Sequence, residues 1–180
     1  MNQTAKDVVD FWVDAGPQRW FRGGADFDTL CRDRFLDLHL AAARGELASW
    51  SETAQGSLAL LLLLDQIPRN VFRGSAHAYA TDPMALSLAG AAIEKGHDRE
   101  YDLELRSFFY LPFMHSEALA DQRRCVAIFQ ELPESGSGKW AVHHLEIIER
   151  FGRFPHRNRL LGRNSTPEEV AWMDAGGFQG

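Results

Sequence analysis

Fifteen residues, GRFPHRNRLLGRNST from Gly152 to Thr166, gather Arg153, His156, Arg157, Asn158, Arg159 and Arg163 into one short stretch. Arginines on a constrained loop are planar, permanently charged donors, the chemistry that recognises carboxylates and phosphates. Two of the arginines near it have a simpler use. Glu146–Arg150 and Glu149–Arg153 are i,i+4 pairs in the favourable orientation on the preceding helix. Arg157, Asn158 and Arg163 have no such local explanation. Pro155 should turn the chain sharply, with Phe154 extended before it. Arg157 and Asn158 should then face inward and Arg159 the solvent, with Phe154 and Leu160–Leu161 as apolar anchors and Gly162 permitting the turn back.

A second group lies in LLLLDQIPRNVFRG. Asp65 follows a run that is apolar on every side, at a helix end where the macrodipole disfavours negative charge. Such a carboxylate needs a cation, either Arg69 four residues on or a distant arginine. Gln66, Asn70 and Arg73 complete this set. A third group lies in LPFMHSEALADQRRCVAIF. Leu119, Gln122, Val126 and Phe129 share one helix face, so Gln122 interrupts an apolar stripe, with Asp121 beside it. Ser116 suits an N-cap and Glu117 the first turn of the same helix. On the helix before the arginine loop, Trp140, His144, Ile147, Ile148 and Phe151 form the inward face. His144 there is either a hydrogen-bonded core residue or a catalyst.

IPRNVFRG and FPHRNRLLGR echo one another, and Asp-Gln recurs at Asp65–Gln66 and Asp121–Gln122. Three functions fit these groups. In the first, Asp65, Gln66, Arg69, Asn70, Arg73, Glu117, Asp121, Gln122, His144, Arg157, Asn158 and Arg163 bind an anionic small molecule or peptide group. In the second, His115, His144 or His156 exchanges protons with Asp65 or Asp121 as orienter, in an enzyme of hydrolase or transferase type. In the third, RNA meets the basic loop, a weaker reading in an acidic chain with no nucleic-acid motif. A plain structural network remains the alternative to all three. Buried polar groups need partners, so Asp65, Asp121, His144, Arg157 and Asn158 are expected in one cluster.

Several chemistries are not indicated. SGSGKW lacks the first glycine, the terminal Ser/Thr and the preceding strand of a phosphate loop. No Gly-x-Ser-x-Gly elbow is present, and HHLE is not the His-Glu-x-x-His zinc motif. His115, Glu117 and Asp121 form only a minor metal-ligand candidate, so neither metal nor cofactor is expected. Cys31 and Cys125 are too few for a disulfide framework or a cysteine metal site and read as reduced core residues.

Positioning these residues falls to helices. Helical periods run through the chain and no convincing period-2 strand interrupts them. Helices are predicted near 4–15, ended by Gly16–Pro17, with Val8, Val9, Phe11 and Trp12 inward. Further ones are predicted at 28–44, with Leu30, Cys31, Phe35, Leu38 and Ala42 inward and Gly45 just beyond. Next come one from Thr53 to a stop at Pro68, one capped by Asp82 and ended by Lys95–Gly96, and others at 102–110, 116–132 and 140–151. The last opens at STPEE with two overlapping capping-box spacings. PESGSGK is the one flexible-looking joint. The result is one all-α domain over residues 1–180. Its formal net charge of -6 does not favour nucleic acid or an anionic membrane. Charge is uneven, because Lys139–Arg163 holds six basic and two acidic residues, leaving 13 and 23 elsewhere. The LALLLLL run is far shorter than the roughly 20 residues of a membrane span. The start lacks a signal-peptide pattern, and a cytoplasmic location is expected. Oligomeric state is not encoded legibly.

LLLDQIPRNVFRG, FFYLPFMHSEALADQ and HLEIIERFGRFPHRNRLLGRNSTPEE together resemble the bacterial family called domain of unknown function 924. The resemblance spans nearly the whole chain. It implies a fold similar to tetratricopeptide-repeat proteins, with seven or eight antiparallel helices around a concave groove, and it carries over no catalytic residue. One departure is Ala54 after Thr53, where the family pattern favours proline. The 34-residue repeat pattern itself fits poorly, which points to a divergent solenoid-like bundle.

Overall fold

The computed structural model describes residues 3–132 and 136–179, so Pro133–Ser135 of the PESGSGK joint lie outside the described residues. Among the described residues the regular structure is helical throughout and no strand occurs. No described helix is long and apolar enough to cross a membrane. The chain divides into two compact units, Met1–Pro112 and Phe113–Gly180.

In the first unit, α1 (Ala5–Arg22) starts from a capping box between Thr4 and Asp7. Gly16 breaks it as expected, at φ 71°, but helical geometry resumes at Pro17 instead of ending. Proline suits the first turn of the renewed helix, where its missing N–H is not needed. Helix α2 (Gly24–Ala43) begins four residues earlier than predicted and buries Phe27, Cys31, Phe35, His39 and Ala42. That stripe excludes Leu30, which is 38% exposed against expectation. The core here is aromatic. Phe11 meets Phe35 edge-on at 4.8 Å, and Trp12 and Trp20 both meet Phe108 edge-on at 5.7 and 5.0 Å. Trp20 also donates its indole N–H to the Trp12 carbonyl at 2.6 Å.

Helix α3 (Ala54–Leu61) is capped by Thr53, as its sequence suggests. It then runs through a π-helical stretch, Leu62–Gln66, into α4 (Ile67–Val71). Pro68 therefore does not stop the helix, and two side chains explain why. The widened turn sends the Ile67 N–H to the Leu62 carbonyl, bypassing Leu63. The Leu63 carbonyl accepts from His39 Nδ1 at 2.8 Å instead. The Leu64 carbonyl, four residues before the proline, accepts the Thr81 hydroxyl at 2.5 Å. Buried carbonyls orphaned by a proline are thus satisfied from elsewhere.

Helix α5 (Asp82–Glu94) has Thr81 rather than Asp82 at its N-cap. Short α6 (Leu103–Arg106) is capped by Asp102 and passes into a 3-10 turn, Ser107–Phe109. Helix α7 is Leu111–His115.

In the second unit, α8 (Leu119–Gln130) starts three residues later than predicted and buries Gln122, Cys125 and Phe129. Leu119, expected inward, is 36% exposed. Helix α9 (Gly138–Phe151) buries Ala141, His144, Ile147 and Ile148. Trp140 departs from the expected inward face and is 48% exposed. Gly152, at φ 69°, turns the chain out of α9 in a conformation that a side chain would strain. Helix α10 (Pro167–Asp174) uses the second of the two capping boxes, Thr166 with Glu169. Its Trp172, with Phe151 and Phe178, packs on Ile147, Ile148 and Phe154.

Candidate functional site

The arginine loop of the second unit begins with Phe154 extended and fully buried, followed by a 3-10 turn, Pro155–Arg157. Arg157 and Asn158 are buried and Arg159 is exposed, the expected facing. Leu161, in contrast, is 38% exposed and does not anchor the loop. The Arg157 guanidinium lies 4.5 Å from the centre of the Phe154 ring.

Arg163 organises the site. Its Nε donates to Asn158 Oδ1 at 2.9 Å, and its two terminal nitrogens grip the Glu117 carboxylate at 2.6 and 2.9 Å. The Phe154 backbone N–H donates to the same carboxylate at 2.7 Å, and the Phe154 carbonyl accepts from Arg163 Nη2 at 3.2 Å. Burial alone would raise the Glu117 carboxyl. The Arg163 fork, the Phe154 N–H and the charge of Arg157 outweigh it and hold the group below the usual carboxylate range.

Glu117 therefore does not serve the first turn of α8, and Ser116 is not its N-cap. The chain stays irregular over residues 116–118 before α8 begins. Ser116 Oγ accepts the Ala118 N–H and donates to Asp121 Oδ2 at 2.6 Å. Gln122 is fully buried, and its amide donates to the carbonyls of Met114 and Ser116, both at 2.6 Å, closing the end of α7. These engagements take Glu117 and Asp121 away from the minor metal set with His115. Among the described residues no group of three metal-ligating side chains occurs.

Asn158 also donates to Ser165 and Glu169, at 3.1 and 3.2 Å. Glu169, 2% exposed, receives Arg153 through two bonds at 2.6 and 2.8 Å. Arg150 reaches Glu168 at 3.0 Å and Glu149 reaches Arg123 at 3.5 Å. Arg150, Arg153 and Glu149 thus pair with other helices instead of forming the expected i,i+4 pairs, and Glu146 lies 4.0 Å from His143 on α9 itself. Glu169 is fixed by its own cap, so it offers Arg153 a preorganised bidentate partner, while Glu149 engages Arg123.

His144 donates Nδ1–H to the Trp140 carbonyl at 2.8 Å and meets the rings of Phe154 and Phe178 at 5.4 and 4.8 Å. Burial, helped by the nearby charge of His115, pushes it down to about 4, so it is neutral at neutral pH. His156 meets Phe178 at 5.2 Å.

The other half of the predicted set belongs to the first unit. Asp65, 1% exposed, pairs with Arg69 at 3.3 Å and accepts from the Gln66 amide. Arg69 also forks onto Asp82 at 3.0 and 3.1 Å. Asn70 donates to the Gln66 carbonyl at 3.2 Å and accepts from Arg73 Nη2 at 3.4 Å. Arg73 grips Asp28 at 2.6 and 2.9 Å. So the predicted residues of the first unit, Asp65, Gln66, Arg69, Asn70 and Arg73, form one network. Those of the second fall into three groups: Glu117, Asn158 and Arg163 bonded together, Asp121 and Gln122 around Ser116, and His144 and Arg157 against the Phe154 ring.

One buried pair has no signal in the sequence. Ser57 Oγ lies 2.9 Å from His97 Nδ1, 40 positions apart, and Ser57 is fully buried.

No curated protein matches the chain. The solved structure of ATU0120, a protein of unknown function from Agrobacterium tumefaciens, is similar at 53% identity and a TM-score of 0.90, over 96% of this chain and 97% of that one. The family described as bacterial protein of unknown function, DUF924, matches residues 8–177. Those residues include both arginine networks, and the chain belongs to that family.

Proposed function

We propose that the protein is a helical binding module that takes the anionic group of a small molecule or peptide at the seat filled by Glu117. The carrying observation is that seat itself: a guanidinium fork and a backbone N–H converge on one carboxylate, whose side chain is 27% exposed. The carboxylate reaches the seat from the irregular stretch 116–118, so it leaves without unwinding a helix. The adjacent charge of Arg157 favours any anion that replaces it. Planar bidentate geometry suits carboxylate and phosphate alike. The acid–base alternative gains no support from His144, whose imidazole pairs with a backbone carbonyl and aromatic rings rather than with a carboxylate among the described residues.

Calorimetry with phosphate, acetate and sulfate tests the proposal. Glu117→Gln removes the competing charge and should tighten binding about tenfold, a difference of ~1.4 kcal/mol. Arg163→Lys should weaken it strongly, because lysine keeps the charge but loses the fork. Arg159→Lys, at an exposed position, should change nothing. Wild type and Glu117→Gln both folded and both silent toward all three anions would defeat the proposal.

A further inference from the structure

The first unit contains a cleft of about 540 Å³ that neither arginine network uses. Its floor is Leu60 and Leu64, each 4% exposed, and its mouth carries Met84, 40% exposed. One wall is a single face of α5, where positions 84, 88 and 91 recur at helical spacing. The opposite wall includes Ala48 and Ser51 of a 3-10 turn, small side chains that leave the slot open. Its lining is almost wholly apolar and its volume falls in the range of small-molecule sites, roughly 300–1,000 Å³.

One charge stands at the end of this slot. Lys95 continues the α5 face one turn beyond Ala91, and its Nζ donates to the Ser51 carbonyl at 2.9 Å. Ser51 itself lines the cleft. Among the described residues no carboxylate forms an ion pair with Lys95, and an ammonium has three donors. From Met84 to Lys95 the helix rises about 16 Å. The cleft-lining part of that face, Met84 to Ala91, accounts for about 10 Å of the rise. An apolar slot of that length with an ammonium one turn beyond it complements an unbranched chain with one terminal anion.

We propose that this cleft binds a straight-chain fatty carboxylate, its tail over Leu60 and Leu64 and its carboxylate on Lys95 Nζ. This site is independent of the Glu117 seat. The binding reaction is reversible and needs no co-reactant.

Titration of the full chain with decanoate, decanol and acetate, below micelle-forming concentrations, tests it. Decanoate should bind saturably, decanol more weakly and acetate not at all. Lys95→Gln should weaken decanoate about three- to fivefold, the effect of an exposed ion pair, and leave decanol unchanged. Ala48→Phe, at an exposed position on the wall, should abolish binding of both chains while melting like the wild type. Should that variant misfold, Ser87→Phe on the opposite wall replaces it. Absence of saturable decanoate binding would overturn the proposal. So would equal weakening of decanol by Lys95→Gln, or unaltered binding in a folded Ala48→Phe. A wild-type dimer that Ala48→Phe dissociates would also overturn it, by assigning the slot to a second copy.

Discussion

The two loops that echo each other in sequence build the same hydrogen-bond string in different surroundings. In the first unit the string runs Asn70–Arg73–Asp28, and in the second Asn158–Arg163–Glu117. In both, an asparagine oxygen orients an arginine whose fork then grips a carboxylate from another segment. The surroundings separate them. Arg73 is 61% exposed, whereas Arg163 is 24% exposed and also bonds the Phe154 carbonyl while the Phe154 N–H meets its carboxylate. Each loop also rests on one deeply buried carboxylate, Asp65 or Glu169. A string of donors becomes a seat only when backbone groups and partial burial are added to it.

The buried carboxylates should show the largest effects. Asp65→Ala removes a charge from beside Arg69, which typically costs about 3–5 kcal/mol. Asp82 still holds that arginine, so a loss near the lower end, about 3 kcal/mol, is expected in urea denaturation. Asp65→Asn keeps the shape and isolates the charge. An unchanged midpoint in Asp65→Ala would show that the first loop does not depend on its buried anion.

Glu169 is the counterpart in the second unit. The Arg153 bonds, opposed by burial and helped by the Thr166 N–H and Asn158, lower it to about 2 from an ordinary 4.5. A depressed carboxylate stabilises fully above its unfolded pKa and loses that contribution as pH falls through the folded one. The window is therefore from about 4.5 down to about 2. A tenfold change in acidity is worth about 1.4 kcal/mol, and the partial exposure of Arg153 reduces the total to ~2–3 kcal/mol. His144, pushed down to about 4, loses stability over its own window from 6.5 to about 4. The Glu169 contribution is accordingly read below about pH 4. Glu169→Gln should flatten the stability curve there, and a curve parallel to the wild type would remove Glu169 from the network.

How much of this is legible in the sequence depends on how local each cause is. Thr53, Gly45 and the Thr166–Glu169 box act within a few residues, and each can be read directly. So can the inward facing of Arg157 and Asn158 around Pro155. The passage of the helix through Pro68 cannot, because it relies on His39 and on Thr81, 17 positions beyond Leu64. Thr81→Val, which leaves the Leu64 carbonyl without its donor, should cost about 1–2 kcal/mol by thermal melting. Ser116–Glu117 misleads because Ser-Glu fits a helix start, while the true partner of Glu117, Arg163, lies 46 positions away. Arg150 and Arg153 mislead for the same reason. A local i,i+4 partner is visible in the sequence, and a better nonlocal one is not.

The smallest expected effect tests the comparison most directly. Double-mutant cycles measure each fork's coupling to its carboxylate while cancelling unrelated losses from the single changes. For Arg163 and Glu117, both about a quarter exposed and supported by the Phe154 backbone, the coupling should be about 1–2 kcal/mol, between exposed and fully charge-assisted pairs. For Arg73 and Asp28 it should be about 0.2–1 kcal/mol, because the arginine is mostly in water and must give up rotamer freedom to hold its geometry. Salt separates them further, since the exposed pair is screened more than the sheltered one. Raising ionic strength toward about 1 M should remove most of the Arg73 coupling and leave most of the Arg163 coupling in place. Equal couplings with equal salt dependence would mean that the Phe154 backbone adds nothing. The two loops would then be the same surface pair written twice, and the second would have no claim to be a seat.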